Sequence, residues 1–231
     1  MTGSATPRAT PAETPLLRLR QVSHSFPSSG FQLRLEKLEI APGEKVALIG
    51  RSGCGKTTLL NLIAGIHRPE AGEVCWGEDR IDTLSEGHRR DLRLERIGFI
   101  FQDLCLIDYL DVFGNILFPF RLSPRLRITA EVRQRAVALA ATVGLEDRLH
   151  ASVRTLSQGE KQRVLICRAL VTDPALVLAD EATSNLDPLT RDRIHKTLEH
   201  HVETRQAGLL AVAHDRASLV SYERVIDLEA A

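Results

Sequence analysis

Apolar positions alternate early in the chain and run together later. Leu17, Leu19 and Val22 read as a first strand, and Leu33, Leu35 and Ile40 as a second. Ser28, Ser29 and Gly30 supply the turn between them, which predicts an antiparallel flap. Pro42-Gly43 is a further turn. The short run Val46 to Gly50 has no polar alternation, the mark of a strand buried on both faces. Lys56 to Gly65 reads as a helix ended by glycine. Ile97 to Gln102 is another short strand, and Thr129 to Val143 a helix. Glu160 to Val171 is helical, with Val164, Leu165, Cys167, Ala169 and Leu170 on or near its inner face. Ala175 to Asp180 is a buried strand, Pro188 to Glu203 a helix, and Gly208 to Asp215 contains a last strand. Strands alternating with helices predict an α/β fold with a mainly parallel sheet.

Composition narrows this picture. Of 231 residues, 43% are apolar, enough for a core without disulfides or metal. Thirty basic and thirty acidic side chains cancel, so no net field gathers nucleic acid, and no nucleic-acid partner is expected. Cys54, Cys75, Cys105 and Cys167 are scattered and form no metal spacing; they read as reduced thiols. No apolar run is long enough to span a bilayer. Residues 1–15, rich in Thr, Ala and Pro, read as a disordered tail.

The sharpest chemical signal is Gly50 to Thr57, GRSGCGKT, which fits G-x-x-x-x-G-K-[ST] between a predicted strand and a predicted helix. Glycines let consecutive backbone N–H groups turn inward around phosphate oxygens. The helix N-terminus favours the same anion. Lys56 supplies a mobile cation for the terminal phosphates, and Thr57 a hydroxyl for Mg²⁺. Four fixed positions match by accident in on the order of 1% of chains this long, and the strand–helix context lowers that further. ATP and Mg²⁺ are therefore the expected ligands. A second acidic site follows: Asp180 and Glu181 end a buried strand, where a carboxylate faces the ligand crevice. Asp180 suits Mg²⁺, and Glu181 suits orienting and deprotonating a water.

Between these sites lies LSQGEKQRV, Leu156 to Val164. With it, the chain resembles the ATP-binding cassette family of ATPases, over roughly Leu16 to Leu228, with six motifs in the family's order. The resemblance implies a P-loop fold carrying an N-terminal antiparallel β-subdomain and an inserted α-helical subdomain. The cassette would span 16–231, with the helical insertion at about 103–158. It implies that Phe26 stacks on adenine and that Gly50, Arg51, Ser52, Gly53, Cys54, Gly55, Lys56, Thr57 and Thr58 hold the phosphates. Gln102 would sense the γ-phosphate, join Thr57 and Asp180 at the metal, and communicate with a membrane partner. Glu181 would be the catalytic base and His214 the switch histidine. Ser184 to Asp187, SNLD, matches the D-loop. Ser157, Gln158, Gly159 and Glu160 match the signature, which in the family contacts ATP held by a second cassette, so a dimer is implied. Gln158, Ala182 and Val153 depart from the commonest family residues but remove no charge or ligand. The order of motifs sets the chain apart from G proteins and small-molecule kinases.

Six of the ten aromatic residues fall between Phe99 and Phe120: Phe99, Phe101, Tyr109, Phe113, Phe118 and Phe120. Phe99 and Phe101 read as core of the helical subdomain. For Leu106, Ile107 and Tyr109, core packing and an exposed apolar groove are both open. In the family this region receives a short helix from the membrane subunit. The glutamine, apolar loop and Gly-Asn-Ile helix start resemble the subgroup serving lipoprotein release, macrolide export and cell division. The implied role is a peripheral ATPase on the cytoplasmic face of the plasma membrane, driving a separate integral membrane subunit. The alternatives are force transmission without solute transport, or a soluble ATPase acting on nucleic acid or ribosomes. Relatives of the last kind carry coiled coils, paired cassettes or zinc modules, and none is seen here.

Overall fold

The computed structural model describes residues 14–26, 31–180, 186–213, 219 and 221–229. The expected tail up to residue 13, the turn at Ser28 to Gly30, Glu181 to Ser184, and His214 to Asp215 lie outside the described residues.

The N-terminal half builds an antiparallel sheet in the order β2-β1-β4-β5: β1 (Leu17–Phe26), β2 (Phe31–Ile40), β4 (Ala71–Trp76) and β5 (Asp79–Arg80). One face is apolar and packs on the main core. Its inward set changes parity midway. Leu17 and Leu19 point in, then Val22, and across the pair Ile40 and Leu38 give way to Leu35 and Leu33. The change occurs at Gln21, whose φ of 49° is left-handed, where the pairing of β1 with β4 also shifts. Gly72 makes room for it: a Cβ there would stand 2.3 Å from the Gln21 carbonyl oxygen.

The second sheet is parallel throughout, in the order β6-β7-β8-β3-β9: β3 (Lys45–Ile49), β6 (Ile97–Ile100), β7 (Leu176–Ala179), β8 (Gly208–Val212) and β9 (Arg224–Asp227). Every residue of β7 and β8 is buried, which is why both read as unbroken apolar runs. The backbone of β6 nearly touches α6 (Gln158–Leu170): a Cβ on Gly98 would meet the Ala169 carbonyl at 2.4 Å. Helix α1 (Lys56–Ile63) follows β3 and carries its apolar face into the same core. Its C-terminal carbonyls are claimed from outside, Ile63 by the Trp76 indole at 2.7 Å and Ala64 by Arg93 at 3.2 Å. Arg93 belongs to α2 (Glu86–Arg96), capped by Ser85.

Between β6 and β7, helices α3 (Val112–Ile116), α4 (Pro119–Leu122), α5 (Ala130–Thr142) and α6 gather around a separate apolar cluster. Asn115, fully buried, organises the loop in front of α3. Its Oδ1 accepts from Ile107 N–H at 2.7 Å, and its Nδ2 faces the Ile107, Leu110 and Asp111 carbonyls at 3.1, 3.3 and 3.0 Å. Helix α7 (Pro188–Arg205) covers the parallel sheet through Ile194, Leu198 and Val202.

The expected strands and helices recur within a residue or two; the strand at Ile97 stops at Ile100 rather than Gln102. Residues 71–96, assigned no element from the sequence, hold β4, β5 and α2. Two aromatic assignments need correction. Phe99 packs on the main core, not the helical cluster, and Phe101 stacks on it at 3.9 Å, lining a surface groove. The groove is lined from β6 by Ile97 and Phe99, from α4 by Pro119 and Leu122, and from α6 by Arg168 and Ala169. The segment expected either to pack or to form a groove divides. Leu106 tucks against the helical cluster, Ile107 lines the groove, and Tyr109 is 84% exposed.

Replacing Asn115 by Leu keeps the volume but strands the Ile107 N–H and the carbonyls it served. The expected outcome is a loss of about 2–3 kcal/mol in urea unfolding, with faster amide exchange at Ile107.

Candidate functional site

Because all strands of the second sheet run the same way, the carboxyl ends of β3 and β7 open on one side, with β8 between them. The loop after β3 is the phosphate-binding sequence and the residue after β7 is Asp180. Three glycines shape the loop, Gly50, Gly53 and Gly55, with φ of 146°, 80° and 103°. Gly50 and Gly55 are also sterically required. A Cβ on the first would lie 2.7 Å from Cys54 Sγ, and on the second 2.5 Å from the tip of the Phe31 ring. Gly55 is the N-cap of α1 and offers no side chain to its first turn, so the leading N–H groups are left for an anion.

Lys56 is 8% exposed, and its ammonium donates to the Gly50 and Arg51 carbonyls at 2.7 and 2.9 Å. The Thr57 hydroxyl donates to Asp180 Oδ2 at 2.8 Å, across 123 residues of sequence. Asp180 is 3% exposed, and its own N–H donates to Ile100 O at 2.9 Å, which fixes it to the edge strand β6. These groups line a cavity of about 380 Å³ together with Ser52, Thr58, Gln102 and Phe26. Thr57, Asp180 and Gln102 bring a hydroxyl, a carboxylate and an amide to it, an oxygen set that suits Mg²⁺.

Phe31 was not singled out from the sequence. It is the cross-strand partner of Phe26, the two ring centroids are 6.4 Å apart, and both line the cavity. His24 and His67 stack on each other at 5.5 Å and meet Phe26 edge-on, at 4.8 and 5.7 Å. Burial, and to a lesser degree the charge of His24, hold the His67 imidazole below its ordinary pKa.

The signature residues form the start of α6. Ser157 is its N-cap: its Oγ accepts from Glu160 N–H at 3.2 Å, while Glu160 Oε2 accepts from Ser157 N–H at 2.8 Å. That backbone donor, helped by the Ser157 side chain, holds the Glu160 carboxyl below its usual range. Gln158 and Gly159 form the first turn, and a Cβ on Gly159 would stand in ordinary contact with Leu186, at 3.5 Å. Asp187 caps α7, accepting from Thr190 N–H at 3.0 Å, and Thr190 lowers its pKa. The geometry thus brings Phe26, Ser52, Gly53, Gly55, Lys56, Thr57, Thr58, Gln102 and Asp180 to one cavity; Gly50, Arg51, Cys54, Ser157 to Glu160 and Asp187 stand apart from its lining. Glu181 and His214 lie outside the described residues.

Among the described residues no helix is long and apolar enough to cross a membrane. The family model for ABC transporters matches residues 33–184. A lipoprotein-releasing system ATP-binding protein LolD from Hyphomonas neptunium is 36% identical over 220 residues, covering 93% of this chain and 95% of that protein. One of the same name from Pseudomonas fluorescens is 38% identical and covers 94% and 96%. A solved dimeric structure of the ATP-binding cassette MJ0796, described as a post-hydrolysis state bound to ADP and Pi, superposes with a TM-score of 0.82. Its sequence identity is 30%, over 91% of this chain and 93% of that one. Fold, motif order and full-length similarity agree: the chain belongs to the ABC transporter family, as an ATP-binding subunit.

Proposed function

We propose that this subunit hydrolyses ATP to drive a conformational change in a separate membrane protein of a lipoprotein-releasing type of system. The observation that carries the reading is the 2.8 Å hydrogen bond from Thr57 to Asp180, which joins the phosphate loop to the acidic strand end inside one cavity. The lengthwise similarity to proteins named LolD supports the choice of system.

In this reading Phe26 stacks on the adenine, and the N–H groups of the loop with Lys56 take the phosphates. Thr57, Asp180 and Gln102 would hold Mg²⁺, which when bound supplies charge neutralisation for the phosphate oxygens. Glu181, next in sequence to Asp180, orients and deprotonates the attacking water, and His214 reaches the γ-phosphate. Ser157, Gln158, Gly159 and Glu160 of one copy face the nucleotide of the other, with Asp187 at the junction. The positive end of a helix dipole suits that role. The dimeric form of MJ0796 supports a dimer here. The groove of about 310 Å³ lined by Phe99, Phe101, Ile107, Phe118 and Leu122 supports docking of an apolar helix from the membrane subunit, at the cytoplasmic face.

Lys56→Ala removes a charge-assisted donor set, so nucleotide affinity should fall about 10- to 100-fold, read by titration calorimetry with an ATP analogue. Glu181→Gln should bind ATP as the unaltered protein does, hydrolyse it at least a hundredfold more slowly, and run as a dimer in size-exclusion chromatography with ATP and Mg²⁺. The same variant, used as bait in detergent-solubilised membranes of the native host, should recover a multi-span membrane protein. Normal turnover would remove Glu181 from the catalytic role, and recovery of only ribosomes or DNA would overturn the membrane assignment.

A further inference from the structure

A second cleft, of about 630 Å³, lies between α5, the turn after α6, and α7, and shares no lining residue with the phosphate cavity. Its volume falls in the range of small-molecule sites. Leu139, Leu170 and Leu189 give it an apolar side, and Leu189 is 83% exposed. Beside these leucines the lining is cationic: Arg135, Arg193, Lys196 and Arg205 stand against two acids, Asp173 and Asp192. In a chain of zero formal charge that is a local concentration.

The acids do not use it up. Asp173 is taken by Arg205 at 2.8 Å, with Arg135 at 4.0 Å. Arg193 and Lys196 stand three apart on α7, on one face, and make no ion pair or side-chain hydrogen bond among the described residues. Gly144, at φ 70°, lets the Arg193 guanidinium lie close over the end of α5; a Cβ there would stand 2.6 Å from Nη1.

His201 adds a fixed donor–acceptor pattern. It is 9% exposed, and its Nε2 lies 2.9 Å from the Pro174 carbonyl. A carbonyl only accepts, so Nε2 carries the hydrogen and Nδ1 of the neutral ring is the acceptor. Burial lowers its pKa. The Pro174 hydrogen bond and Asp173 oppose that shift, while Arg205 and Arg135 add to it.

We propose that this cleft binds a soluble amphiphilic anion, a sulfonate, carboxylate or phosphate ester on a small apolar body. The head sits on Arg193 and Lys196 and the body on the leucines. Exposed charges alone are screened and bind weakly, and the leucine surface alone is small, so both parts are required. Anionic lipid carries the same chemistry, but a concave cleft walled by two helices and a turn fits a single small molecule better than a flat membrane. Leu189, Asp192 and Arg193 belong to the opening turns of α7, directly after Asp187, so a bound ligand braces that end of the helix against α5. An added anion also favours the imidazolium form of His201. Binding therefore tightens as pH falls below the ordinary histidine value of 6.5, because burial places the His201 transition lower than that. The other groups facing His201 across the cleft are Arg135 from α5, Asp173 from the turn, and His200, Lys196 and Arg205 on α7 itself.

The test is calorimetric titration of the full chain with hexyl sulfate below its micelle concentration, whose charge is constant with pH. Controls are 1-hexanol, inorganic sulfate, an acidic peptide and vesicles containing phosphatidylglycerol. Expected is one saturable site for hexyl sulfate, at least tenfold tighter than for hexanol or sulfate and tighter at pH 5.0 than at 7.5. Arg193→Glu with Lys196→Glu, at exposed positions, should weaken it at least tenfold, with an unchanged far-ultraviolet circular dichroism spectrum. Equal binding of hexanol, equal binding of sulfate (an adventitious ion only), or binding that survives the double reversal would overturn the site. So would response to the peptide or vesicles alone. A flat pH profile would remove His201 from it.

Discussion

The constraint on which the site depends is the parallel course of β3 and β7, and it shows in one hydrogen bond between distant parts of the chain, Thr57 to Asp180. That bond can form only because β3 and β7 run parallel in one sheet, so that the residues leaving them emerge on the same side. The strands are held there by complete burial of β7 and β8 and by close approach of α6 to Gly98. Burial of this kind contributes about 1.5–3 kcal/mol for each large side chain, before chain entropy is counted. A polar contact of this kind contributes only about 1 kcal/mol net. The core fixes the position, and the hydrogen bond reports it.

Three apolar clusters divide the labour. The largest joins the antiparallel sheet, α1 and one face of the parallel sheet. A second belongs to the helices between β6 and β7, and a third lies under α7. The phosphate loop and Asp180 sit where the first and third meet. Leu106, in the loop before α3, packs on the second, whereas the exposed groove takes Ile97 and Phe99 from the first and Ala169 from the third.

Much of this was legible in the sequence, for identifiable reasons. Buried parallel strands read plainly because nothing in Val46 to Ile49 or Leu176 to Ala179 is polar. The phosphate loop read plainly because its residue types are dictated by backbone geometry. Helix α2 was not legible: EGHRRDLRLER is so charged that its inward face, the Arg89 and Arg93 stems and Leu92, carries almost no apolar period. Strand β9 hides for a related reason, since RVID sits at the sheet edge and is mostly exposed. Phe101 misled because an aromatic beside a buried strand is usually core, whereas here the strand ends at Ile100 and the ring lies outside it. Asn115 carries a loop's worth of backbone bonds, yet as one letter in an apolar run it looks like a defect.

The left-handed residue at Gln21 has a wider consequence. Strand β1 exposes alternate residues, so without that odd step Leu17 and Leu19 would place every later odd-numbered side chain inward and turn Phe26 to the outside. The step moves Val22, His24 and Phe26 to the inner side, and its counterpart in β2 does the same for Phe31. The direction in which the aromatic pair faces is therefore a matter of counting: lengthening the strand by two residues preserves it, and lengthening it by one inverts it.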